Sequence, residues 1–142
     1  MAVQVIIWGL PDDISKDGLE NIVKAIRGVF KKLHFNPKGI AVWMPKDLLP
    51  LDLGNNIGIF VEGWRCDMIA KSKRCPDGYP DLPDDLANAL LDLWKLFIIP
   101  NYVKHCQELD IFIRDPWGDY DDESIHASWK KKSQPNKEIV GK

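Results

Sequence analysis

Two hydrophobic periods alternate along this chain, and the switches between them mark out its elements. A β-branched run over 3–10 (VQVIIWGL) stops at Gly9-Leu10-Pro11 and predicts a first strand. From Ser15 to Leu33 the apolar positions are Leu19, Ile22, Val23, Ile26, Phe30 and Leu33, the spacing of one face of an α-helix. Ser15 is placed to accept a hydrogen bond from a free first-turn amide, and Lys31 and Lys32 fall near the negative helix end. Asn36-Pro37-Lys38-Gly39 punctuates, and Ile40 to Met44 predicts a second strand closed by Pro45. After a turn-rich connection over 47–56, Ile57 to Trp64 predicts a third strand. The polar stretch 65–82 reads as a long loop. A second helix opens near Pro83, whose missing amide has no partner in a first turn anyway. Its apolar positions are Leu86, Leu90, Leu93 and Phe97, widened by Leu91, Trp94 and Ile98, and Pro100 ends or kinks it. Leu109 to Arg114 predicts a fourth strand. The order β-α-β-β-α-β predicts an α+β domain over 1–130, with two β-α-β units forming a four-stranded sheet and both helices on one face, a ferredoxin-like arrangement being the alternative. Residues 131–142 read as a polar, flexible tail.

Alternation along the strands gives each face of that sheet its own composition. One face collects Val3, Val5, Ile7, Ile40, Val42, Met44, Ile57, Ile59, Val61, Leu109, Ile111 and Ile113, all apolar, and must lie under the helices. The other carries Trp8, Trp43, Phe60, Trp64 and Phe112 among Gln4, Glu62, Asp110 and Arg114. Two helices cover one face only, so the aromatic face needs another cover: further subunits, a ligand or stacked bases. Fully buried aromatics contribute about 2–3 kcal/mol each, which makes burial between subunits the simplest expectation.

Composition narrows the function classes. With 142 residues the chain fits one domain burying roughly 70% of its unfolded surface, so it needs no disulfide or metal to fold. A net charge of −2 gives no strong pull toward nucleic acid or acidic membranes. No apolar run reaches the roughly 20 residues of a membrane span, and Met1-Ala2-Val3-Gln4-Val5 lacks the features of a signal peptide. Cys66, Cys75 and Cys106 form an odd set without CxxC spacing, as expected of reduced thiols in a cytoplasmic protein. The gap between Cys66 and Cys75 does not suit a zinc knuckle. Asp115, Asp119, Asp121, Asp122 and Glu123 lack the glycine and spacing of an EF-hand, so no metal and no cofactor is expected. No Ser-His-Asp set appears, and Gly9, Gly28 and Gly39 are too scattered for a phosphate loop. Glu62 and Arg114 share the aromatic face with opposite charge, either as an interface ion pair or as a carboxylate-binding arginine beside an acid-base group.

The segments AVQVII, GIAVWMPKDL, IGIFVEG, the second helix and LDIFIRDP resemble, in order and spacing, the tautomerase superfamily over residues 2 to about 130. Within it the likeness is greatest to the 5-carboxymethyl-2-hydroxymuconate isomerases, with macrophage migration inhibitory factor-like proteins as relatives. Ser124 to Trp129 also resembles the C-terminal strand by which those isomerases contact their neighbours. The resemblance implies a homotrimer of β-α-β repeats and proton transfer on a small oxo-acid by an amino-terminal proline. Here the chain reads Met1-Ala2, so loss of Met1 exposes the primary amine of Ala2, unperturbed pKa about 7.7–8, which can act as a base or form a Schiff base. The substrate-binding arginines of that family have no counterpart in Ile40-Ala41-Val42-Trp43-Met44, which leaves Arg65 and Arg114 as candidates, with Trp43 and Phe112 beside them. The expectation is a tautomerase-like oligomer that has lost or altered its activity. One alternative is an enol-keto isomerase working through the Ala2 amine.

A second alternative is single-stranded RNA binding, because VIIWGLP and GIFVEGW faintly resemble the paired motifs of an RNA-recognition motif, which stacks bases on sheet aromatics. The acidic balance and the absence of a basic residue opening the third strand count against it.

Overall fold

The computed structural model describes residues 3–33, 39–45, 56–62, 82–114 and 125–132. Its elements follow in chain order as β1 (Val3–Trp8), α1 (Lys16–Lys32), β2 (Ile40–Trp43), β3 (Asn56–Glu62), α2 (Leu82–Leu93), a π-helical stretch Trp94–Ile98, α3 (Ile99–Tyr102), β4 (Glu108–Arg114) and β5 (Ile125–Lys130).

The strands form one open, mixed sheet in the order β2, β1, β3, β4, β5. Each β-α-β unit places its two strands side by side and parallel, with Val3 opposite Ile40 and Ile57 opposite Leu109. The units meet antiparallel at β1 and β3, where Val5 faces Val61. This adjacency departs from a ferredoxin-like arrangement, in which an inserted strand splits each β-α-β unit. The sheet also has five strands and not four, since β5 pairs antiparallel with β4, Ile111 opposite Ala127. β5 (IHASWK) is built largely from weak strand formers, and pairing with β4 is what makes it a strand.

α1 starts where Ser15, in extended backbone geometry, accepts a hydrogen bond from the Gly18 amide at 3.0 Å. Its buried residues Ile22, Ile26 and Phe30 lie on the sheet. The second helix carries Leu86, Leu90, Trp94 and Ile98 into the same core. Pro100 has no amide to give the Leu96 carbonyl, and the ladder widens just before it: the Ile99 amide donates to the Trp94 carbonyl five residues back. Asn101 Nδ2 then donates to the Phe97 carbonyl at 2.7 Å. The widening keeps Trp94 and Ile98 buried and leaves Leu96 and Phe97 exposed, so Phe97 leaves the core stripe its spacing predicted.

Under the helices lie Val3, Val5, Ile7, Ile40, Ile57, Ile59, Val61, Leu109, Ile111 and Ile113, each fully or almost fully buried; Val42 and Met44, at the β2 edge, are half-buried. The assignment of faces by alternation therefore holds. Ile125, Ala127 and Trp129 of β5 pack against the same core. Beyond β5, the Lys131 amide donates to the Gln107 carbonyl at 2.8 Å, tying down the first residue of the expected tail. Residues 133–142 of that tail lie outside the described residues. Among the described residues, no helix is long and apolar enough to cross a membrane.

Candidate functional site

With the helices on one side, strand register alone organises the other. Ile6 of β1 is opposite Trp43 of β2 and Phe60 of β3. Phe60 is opposite Phe112 of β4, and Phe112 is opposite His126 of β5. A single row therefore crosses all five strands: Trp43, Ile6, Phe60, Phe112 and His126. On one side of it run Ala41, Gln4, Glu62 and Arg114; on the other run Trp8, Gly58, Asp110 and Ser128.

The rings in this row face one another. Phe60 and Phe112 stack with centroids 5.0 Å apart and planes within 14°, and Phe112 and His126 at 4.5 Å and 3°. These distances match the 4.7–4.9 Å spacing between neighbouring strands, so the rings stand upright on the sheet and turn their edges to solvent. His126 Nε2 lies 2.8 Å from Asp110 Oδ1, diagonally across β4 and β5. Their side chains are 52% and 30% exposed, and in open water such a pair contributes little. Trp43 is 57% exposed, while Trp8 and Phe60 are also open and Ile6 and Phe112 half-buried. Contiguous apolar surface of this kind marks an interaction site.

Of the residues singled out in the sequence, Trp43 and Phe112 share the row but sit on β2 and β4, three strand spacings or about 14 Å apart. They do not form one pocket. Arg114 closes β4 directly opposite Glu62, at the end of the sheet where β1 begins. Ala2, Arg65 and Trp64 lie outside the described residues. Alternation placed Asp110 on this face and the family resemblance marked the segment holding His126, but their pairing was missed. Their signal was the alternation of 125–130, legible only once β5 is known to pair with β4.

Hollows also lie elsewhere among the described residues, and two of them bear on the candidate residues. One of about 200 Å³ sits at the far end of β1, lined by Gly9, Ile57, Tyr102, His105 and Cys106 among others. There the Cys106 thiol donates to the Glu108 carbonyl at 3.4 Å, and burial pushes its pKa above the ordinary 9.0, which makes it a poor nucleophile. The other, about 450 Å³, is an open apolar groove between α1 and α2 bordered by Leu93, Leu96 and Phe97. Among the described residues no cluster of three or more His, Cys, Asp or Glu side chains is arranged to hold a metal ion.

Fold and face together define an α+β protein with an open mixed sheet, helices on one side and an aromatic row on the other. No protein-family model matches the sequence, and no curated protein matches it either.

Proposed function

We propose that this protein is a tautomerase-like homo-oligomer, trimeric as the resemblance implies, in which the helix-free face packs against neighbouring subunits and the amino-terminal proline chemistry is lost. The observation that carries this reading is the row of Trp43, Ile6, Phe60, Phe112 and His126, which runs from edge to edge of the sheet with no cover from the protomer's described residues. These side chains are already partly covered in the protomer, so burying what remains stabilises by a fraction of the ~1.5–3 kcal/mol that full burial of an exposed apolar side chain gives. Around the row, acidic positions (Glu62, Asp110, Glu108) and basic ones (Arg114, Lys130) alternate by register, so the face carries both signs of charge and can complement a copy of itself. Two adjacent parallel β-α-β units support the family resemblance. Ala2 in place of proline, and the arginine-free second strand, support loss of that chemistry.

A second reading draws on one observation: Arg114, opposite Glu62, sits at the sheet end where β1 starts. An Ala2 amine at that end, with Arg114 or Arg65 as anion anchor, would serve an enol-keto isomerase acting on a small oxo-acid. Base stacking finds less support, because the faces of Phe60, Phe112 and His126 are turned toward one another, and a net charge of −2 gives phosphates little to bind.

A charge placed in the row tests the first reading. Phe60→Glu is expected to leave the circular dichroism unchanged and disperse the oligomer to monomers; an unchanged mass would contradict it. Turnover of oxo-acid substrates by the assembled protein, with a reducible adduct on its amino terminus, would establish the second reading instead.

A further inference from the structure

We infer that assembly through this face takes up a proton at His126, so that the oligomer is tighter in mildly acidic solution; this rests on the oligomer reading above. The pair of His126 Nε2 and Asp110 Oδ1, 2.8 Å apart, borders the apolar row and is open to water in the lone protomer. A subunit laid over the row strips water from the Asp110 carboxylate. A neutral imidazole can still donate one hydrogen bond to it but leaves a net negative charge buried, which is costly. A protonated imidazole cancels that charge and, lying flat on Phe112 at 4.5 Å, also gains from the ring's negative face. Covering the face therefore favours the protonated form, and by linkage protonation favours covering the face.

The surrounding charges leave this balance with the pair. On β4 and β5, Glu108 is directly opposite Lys130, so those two offset each other, and the residue opposite Asp110 is the uncharged Ser128. On β3, Glu62 is opposite Arg114, at the other end of β4 from Glu108. Among the described residues, the Asp110 carboxylate is the nearest charge to the imidazole, and His126 its hydrogen-bonding partner.

The test is sedimentation velocity on the full chain at about pH 5.5 and about pH 8.5, spanning the range where imidazoles titrate. The wild type is expected to associate about tenfold more tightly at the lower pH. His126→Gln, which keeps the chain's other two histidines, is expected to associate equally at both. Asp110→Asn should flatten or reverse the trend, since a protonated His126 would then be a lone buried charge. An assembled wild type with the same affinity at both pH values overturns the inference and leaves the oligomer reading intact, as does a full pH trend surviving in His126→Gln. A wild type that stays monomeric at both pH values overturns the two together.

Discussion

Phe60 and Phe112 meet face to face across the parallel pair of β3 and β4, their centroids 5.0 Å apart and their planes within 14°. Because the strands themselves are spaced at almost that distance, the stack is a direct product of register. It also fixes what the middle of the face presents, where Phe60, Phe112 and His126 turn their faces to one another, while Trp43 and Trp8 are the more open rings. The chain is accordingly expected to give no anisotropy shift with fluorescent single-stranded RNA, even at low salt where phosphate contacts are strongest. A salt-sensitive shift abolished by Phe60→Ala would show that the rings can open to bases.

Backbone geometry sets two glycines apart. Gly9 ends β1 at φ +94°, and a Cβ there would run into the Asn56 carbonyl oxygen. Gly9→Ala is expected to destabilise the protein by about 1–3 kcal/mol, through an unfavourable φ and a displaced β3. Gly28 lies within α1 with open space around its Cα, so Gly28→Ala is expected to stabilise by about 0.5–1 kcal/mol. Urea denaturation of the two variants should give midpoint shifts of opposite sign.

Cys106 supplies a pH dependence whose sign is fixed. Burial raises the thiol pKa above 9.0 in the folded protein, with a backbone hydrogen bond at Glu108 as a smaller opposing influence. As pH rises past that value the unfolded chain releases a proton that the folded chain still holds, so this group's contribution is complete below about pH 8.5 and is lost in the alkaline range. Cys106→Ala should be less stable than wild type near neutrality, and the difference should narrow as pH rises toward the folded thiol's pKa. Denaturation midpoints of both proteins from neutral to alkaline pH give the check; a constant difference would contradict the assignment.

Much of this architecture was legible from local pattern. Ser15 capped α1 as its position predicted, and alternation sorted Val5, Ile59 and Ile111 to the core and Trp43 and Phe60 to the open face. What local pattern left out depends on partners distant in sequence. β5 is a strand because β4 pairs with it. The row exists because β1 lies between β2 and β3, an order that no single segment encodes. The pair of Asp110 and His126 is a diagonal contact across 16 residues of chain, invisible until both strands are in register. The π-helical widening before Pro100 likewise followed from a missing amide, but its form depended on Trp94 and Ile98 remaining in the core. Residue types implied the open aromatic face; its ordering into a stacked row came from topology.

In the proposed oligomer, copies of this chain cover one another's sheets, and the mass of the purified protein in solution tests that directly. Sedimentation equilibrium over a range of concentrations is expected to give a multiple of 16.2 kDa, three subunits if the resemblance extends to assembly. A single 16.2 kDa species persisting at the highest concentration would contradict it.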